Sequence, residues 1–70
     1  MNLNLKYKII YQKNFFCIKG EYAIKSYENN LIVLKCDKDN IFLNGSDFYI
    51  RLLLSDEIHI VGKFSSISFC

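Results

Sequence analysis

Few side chains in this 70-residue sequence are of types that catalyse reactions, and no familiar catalytic spacing joins them. His59 is the single histidine, and period-two alternation places it on the strand face opposite Ile58. Ser65 and Ser66 lack the surrounding GxSxG sequence of a nucleophile elbow. We therefore interpret His59 as a solvated or edge-packed residue and the serines as polar strand residues. The sequence predicts a protein that is not an enzyme.

The cysteines do not have the spacing of a metal site or a disulfide framework. Cys17, Cys36 and Cys70 form an odd set with no CxxC pair, and all three are far from His59 in sequence. We interpret Cys17 and Cys36 as small apolar residues of strands and Cys70 as a frayed terminal residue. The Asp-Lys-Asp-Asn segment at residues 37–40 lacks the glycine and the distal glutamate of a calcium loop. We expect no metal and no cofactor.

Lysines alternate with aromatic residues near the start of the chain, which suggests an alternative function. A small β-barrel with basic and aromatic residues on one face binds single-stranded nucleic acid by stacking and charge. Here Tyr7 and Tyr11 point away from Lys6 and Lys8, and the net charge is only +2. We therefore expect a protein partner, and we keep nucleic-acid binding as the alternative.

The elements that must hold these residues are strands. Apolar residues alternate with polar ones in residues 3–11 and again in residues 48–54, and no stretch repeats with a helical period. Turn-forming residues separate strands whose centres lie about nine residues apart, as in an antiparallel meander. We predict one all-β domain over residues 1–70, with six to eight short strands curled into a roll or sandwich. A short β-solenoid is the alternative, since its coils also repeat at about this length.

Two local features follow from the alternation near the end of the chain. Ile58 and Ile60 have even residue numbers and Ile67 an odd one, so a regular strand would place them on opposite faces. A bulge or bend is needed at Ser65–Ser66 if all of them face one core. We interpret Gly45 and Gly62 as residues that each close a strand, and residues 44–47 as a turn. We predict that both glycines are structural.

The composition is that of a folded protein without a membrane span. Hydrophobic residues make up 51% and charged residues 23% of the chain. The longest apolar runs, Leu31–Leu34 and Leu52–Leu54, are far shorter than the roughly 20 residues that a membrane-spanning helix needs. The first residues contain no apolar run of signal-peptide length. We expect a cytoplasmic protein that reaches a membrane only through a partner.

The glycine-punctuated strands of the second half resemble a known family. Residues 40–50 run from a short strand into Gly45 and then into an alternating strand, and residues 56–69 run from an acidic turn through a strand to Gly62 and a final aromatic. Together with Phe16–Ile18 and residues 23–27, this pattern is similar to the YabP/YqfC family of small sporulation proteins. The resemblance extends from Ile18 to Phe69.

The resemblance implies a non-enzymatic function in spore formation. Proteins of the YabP/YqfC family are expected in the mother cell, where they are thought to act beside small membrane proteins in building the spore envelope. The resemblance therefore implies a protein partner, either a membrane-associated sporulation protein or another copy of the chain. The family resemblance supplies no molecular mechanism.

The surface for such a partner is predicted from apolar residues that occupy both faces of one strand. Leu52, Leu53 and Leu54 are consecutive, as are Phe15 and Phe16, so some of these side chains must point away from a core this thin. Exposed apolar side chains that lie together mark binding surfaces. We predict an interaction surface that includes Phe15, Phe16 and Leu53.

Overall fold

The computed structural model describes residues 6–70, so the predicted strand that begins at Leu3 lies partly outside the described residues. Within this range the chain forms six strands and no helix. The strands are β1 (Tyr7–Gln12), β2 (Phe15–Gly20), β3 (Ala23–Tyr27), β4 (Leu31–Cys36), β5 (Asp39–Leu54) and β6 (Glu57–Phe69). All neighbours pair antiparallel. The all-β prediction is confirmed, and the solenoid alternative is wrong, because solenoid coils pair in parallel.

The strands form one sheet in the order β1-β2-β6-β5-β4-β3. β5 and β6 are long enough to belong to two halves of it. In the first half-sheet, β1 pairs with β2, β2 pairs with residues 57–61 of β6, and these pair with residues 49–54 of β5. In the second half-sheet, β3 pairs with β4, β4 pairs with residues 39–44 of β5, and residues 41–46 of β5 pair with residues 63–69 of β6.

The two half-sheets meet where the β5–β6 hairpin changes register. Asn44 pairs with Ser66 and Gly45 with Phe64, which leaves Ser65 as an extra residue on β6. The predicted bulge at Ser65–Ser66 is therefore confirmed. A second shift lies between Ser46 and Tyr49, next to Gly62. Bulges bend a strand and increase its twist, so the hairpin bends here and the sheet folds over itself as a roll.

The interpretation of residues 44–47 as a turn that closes a strand is wrong, because β5 continues through them. Gly45 and Gly62 accordingly lie inside strands. A Cβ on Gly45 would overlap the carbonyl oxygen of Lys63 and lie 2.9 Å from its carbonyl carbon. A Cβ on Gly62 would lie 2.8 Å from the Phe48 ring and 3.0 Å from the carbonyl oxygen of Asp47. Both positions need a residue without a side chain because the strands approach closely at the bend.

The core lies between the two half-sheets and takes apolar residues from both. Phe16, Ile18, Ile58 and Ile60 come from the first half-sheet, and β4 and β5 of the second contribute the rest. The buried side chains of the core cluster are Phe16, Ile18, Ile32, Leu34, Cys36, Ile41, Leu43, Ile58 and Ile60. Alternate residues of each strand supply this set, as period-two patterning requires.

Short connections and one cross-sheet hydrogen bond hold the roll together. Two-residue turns join β1 to β2, β4 to β5 and β5 to β6. Only Glu21 and Tyr22 separate β2 in the first half-sheet from β3 in the second. The Tyr7 hydroxyl donates to Oδ2 of Asp39 at 2.6 Å, joining β1 to the start of β5. This hydrogen bond, followed by burial, raises the pKa of Tyr7 to about 12.

Candidate functional site

The first half-sheet has an outer face, turned away from the core, that is largely apolar. Its residues are the direct cross-strand partners of one another in three rows along the register. The first row is Gln12, Phe15, Val61 and Tyr49; the second is Ile10, Cys17, His59 and Leu52; the third is Lys8, Lys19, Glu57 and Leu54. Tyr49 and Leu54 are 58% and 48% exposed, and Ile10 is also exposed. We call these three rows the outer face.

The corresponding surface of the second half-sheet has a different character. Leu31, Val33 and Phe42 are its half-buried apolar residues, and the remaining positions opposite the core are polar or small. These positions are Ala23, Ser26, Lys35, Asn40, Asn44, Ser66 and Ser68. Both half-sheets contribute to one core, with four residues from the first and five from the second, so burial within the monomer does not explain why one outward surface is largely apolar and the other mostly polar.

The structure separates the three residues of the predicted interaction surface. Phe15 lies on the outer face, half-buried, with its ring 5.2 Å from that of His59 in an edge-to-face arrangement. Phe16 is 0% exposed and belongs to the core cluster. Because the folded monomer already covers it, Phe16 does not form part of an interaction surface. Leu53 is 57% exposed but pairs with Ile58, which puts it on the opposite side of the sheet from Phe15.

Basic side chains lie at both ends of the outer face. Lys8 and Lys19 are direct cross-strand partners at one end, and both are exposed. Lys13 and Arg51 line a shallow depression beside Phe15 at the other end. Glu57 is the acidic residue within the rows. The outer face therefore combines an apolar centre with a predominantly positive border.

Three potential ligand groups meet within the outer face. Cys17 on β2 is the direct cross-strand partner of His59 on β6, and Glu57 lies two residues before His59 on the same face. Their Sγ, imidazole nitrogen and carboxylate oxygen atoms all lie within 4.8 Å of one another. His59 Nε2 is 2.5 Å from Oε2 of Glu57. We call these residues the Cys17 cluster.

Neighbouring side chains cover the thiol of the Cys17 cluster although it faces outward. Cys17 is 1% exposed, and burial, followed by the negative charge of Glu57, raises the pKa of its thiol. The interpretation of Cys17 as a buried strand residue agrees with this position. Its proximity to His59 and Glu57 was not predicted from the sequence. Glu57 has the composition of a turn residue, but it is the first residue of β6, and the pairing of β2 with β6 has no local sequence signal.

The remaining candidate residues are dispersed. Cys36 lies in the core, where burial raises the pKa of its thiol, and Cys70 is an exposed free cysteine. Tyr11 packs edge-to-face on Phe64 with the ring centroids 5.6 Å apart, on the core side of β1. Tyr7 and Tyr11 therefore do not share a face with Lys8, which is the arrangement that the alternation predicted.

Comparisons with known proteins place the chain in no group. No family model, no curated protein and no solved structure matches it. The resemblance to the YabP/YqfC family therefore rests on the sequence pattern. Within residues 6–70 there is no helix long and apolar enough to cross a membrane.

Proposed function

We propose that the chain is a non-enzymatic docking module that binds a protein partner through the outer face of its first half-sheet. The observation that carries this proposal is the apolar centre formed by Ile10, Phe15, Tyr49, Leu52 and Leu54. Burying an exposed large apolar side chain contributes roughly 1.5–3 kcal/mol. Several such residues on one rigid sheet face supply enough apolar area for a modest protein interface.

The border of the outer face indicates the chemistry of the partner. Lys8, Lys13, Lys19 and Arg51 surround the apolar centre, with Glu57 as the acidic residue of the rows. Complementary charges at the rim of an interface favour the correct partner and speed association. The expected partner surface is therefore apolar at its centre and acidic at its edge.

The cellular setting of the proposal comes from the family resemblance. A YabP/YqfC-like protein would act in the cytoplasm of the mother cell during spore formation, beside a membrane-associated protein of the spore envelope. A docking module without catalytic groups suits such an assembly role. In this proposal the chain reaches the membrane through its partner.

Two adjacent leucines provide a matched test of the proposal. Leu54 lies on the outer face and Leu53 on the opposite side of the same strand, and they are similarly exposed. Crosslinking in a sporulating host should capture a partner with the wild type and with Leu53→Lys, and lose it with Leu54→Lys. Circular dichroism of both variants checks that they fold. Equal retention of the partner by both variants, or its loss with Leu53→Lys alone, would contradict the use of the outer face.

Nucleic-acid binding remains the second candidate because Phe15 and Tyr49 lie on the same face as the bordering cations. Aromatic rings and cations on one face are the elements of a single-strand binding site. Lys13 and Arg51 lie beside Phe15, but the aliphatic residues Ile10, Leu52 and Leu54 make up the rest of the apolar centre and favour a protein partner. Titration with labelled single-stranded DNA and RNA distinguishes the two, since nucleic-acid binding would weaken steeply with added salt.

A further inference from the structure

The first half-sheet brings together three groups of types that bind transition metals. Cys17 Sγ, an imidazole nitrogen of His59 and a carboxylate oxygen of Glu57 are contributed by two directly paired strands. A thiolate, an imidazole and a carboxylate are all established zinc ligands. We infer that Cys17, Glu57 and His59 form a three-ligand Zn²⁺ site with an open fourth position.

The distances between the ligand atoms suit a tetrahedral ion after a small adjustment. Zinc–ligand bonds of 2.0–2.3 Å place neighbouring ligand atoms about 3.3–3.6 Å apart. The three groups of the Cys17 cluster lie within 4.8 Å of one another, and the Nε2–Oε2 separation is 2.5 Å. A bound ion needs this last separation to widen by about 0.8 Å. Rotation of the flexible Glu57 side chain is sufficient for that change.

The scaffold holds the other two ligands firmly. β2 lies between β1 and β6, and β6 lies between β2 and β5, so neither strand is at an edge. Cys17 and His59 are direct cross-strand partners, which fixes the distance between their Cβ atoms. The ring of Phe15 packs edge-to-face against His59 and restricts its rotation. Ligands that are already positioned lose little conformational entropy when the ion binds.

Burial and charge also suit a divalent ion. Cys17 is almost fully buried, while the side chains of His59 and Glu57 are 24% and 26% exposed, so an ion can enter from the outward side. Binding releases the thiol proton to solvent and leaves a thiolate and a carboxylate, whose two negative charges balance Zn²⁺. The fourth position faces outward and takes water. Sulfur and nitrogen donors favour zinc over magnesium or calcium.

Cobalt substitution tests the site directly, because Co²⁺ occupies zinc sites and its visible absorption spectrum depends on which ligands bind it. Titration of the purified chain with Co²⁺ should give one equivalent with tetrahedral visible bands and a thiolate charge-transfer band. Zn²⁺ should displace the Co²⁺ stoichiometrically. Cys17→Ala and His59→Ala should each lower the affinity by more than about 100-fold, beyond the loss typical of removing an outer-sphere partner.

Cys70→Ser is the matched control, because it removes the exposed thiol outside the Cys17 cluster. This variant should bind Co²⁺ as the wild type does. Circular dichroism of the metal-free variants separates lost binding from lost folding. Glu57→Gln, a change on a side chain that is partly exposed, provides a further ligand test. Absence of a charge-transfer band in the wild type, its survival in folded Cys17→Ala, or its loss in Cys70→Ser would overturn the inference. These outcomes concern metal binding, so they are independent of the docking proposal.

Discussion

Replacing Gly45 with alanine tests whether the close approach at the bend determines the fold. Alanine normally stabilises a strand position relative to glycine by about 0.4–1 kcal/mol where the backbone conformation suits it. Here the added Cβ would overlap the carbonyl oxygen of Lys63, and that oxygen belongs to backbone that cannot rotate away. The structure therefore predicts that Gly45→Ala lowers the free energy of unfolding.

The magnitude follows from how far the strands must move. The Cβ would also lie 2.9 Å from the Lys63 carbonyl carbon, whereas ordinary contacts are 3.4–4 Å, so β5 and β6 must separate at a paired position. Overpacking of a dense site costs about 1–3 kcal/mol, and a clash with paired backbone belongs at the upper end. A domain of this size is stable by only about 4–10 kcal/mol. Gly45→Ala should thus remove a third or more of the stability.

Urea denaturation followed by circular dichroism measures this effect. With a slope of about 1 kcal/mol per molar urea, the midpoint of Gly45→Ala should fall by about 3 M, or the variant should not fold. Ser46→Ala is the matched control at the exposed neighbouring residue, and its midpoint should change little. A Gly45→Ala midpoint equal to or above that of the wild type would refute the close approach at the bend.

Three further predictions concern the core, the cross-sheet hydrogen bond and the bulge. Phe16→Ala should lower the unfolding free energy by about 3–5 kcal/mol, and Phe15→Ala by less than half as much; equal losses in urea titrations would contradict their assignment to opposite faces. Tyr7→Phe should cost about 1 kcal/mol. Because the folded pKa of Tyr7 is raised to about 12, the contribution of its hydroxyl is complete below pH 10 and is lost between about pH 10 and 12. The difference between the ultraviolet titrations of the wild type and Tyr7→Phe isolates this phenol, and a midpoint near 10 in that difference would show that the bond is absent. Insertion of a serine after Ser65 should destabilise the chain far more than deletion of Ser65, since only the insertion turns Ile67 and Phe69 to the other face; similar melting temperatures of the two variants would contradict the bulge.

The parity of apolar residues was sufficient to predict the strands and one bulge. Ile58 and Ile60 on one parity and Ile67 on the other required an extra residue near Ser65, and the register has it there. The same reasoning was wrong for residues 44–47. Asn, Gly, Ser and Asp are typical of turns, but they also permit the irregular backbone of a bulge, as the positive φ of Asp47 shows. Local composition does not distinguish a reversal of the chain from a bend within a strand.

The candidate site was less predictable because it depends on pairing between distant segments. Alternation placed His59 on the face opposite Ile58, yet only the register of β2 against β6 brings Cys17 beside it. Alternation also required some of the consecutive leucines to point outward, without indicating which ones. The direct pairing of Leu53 with Ile58 decides that question and moves the proposed surface to Leu52 and Leu54.

The sharing of β5 and β6 between both half-sheets has a consequence for how the chain folds. Strands β3 to β6 follow one another through short turns, so their contacts close small loops, whereas β2 must find β6 across most of the sequence. Contacts of long sequence separation form slowly, because loop-closure entropy is lost before they are made. The β1–β2 hairpin should therefore dock last, onto a meander that is already formed. That docking creates the outer face. A molecule bound there stabilises the docked β1–β2 hairpin and therefore slows the unfolding of the entire domain.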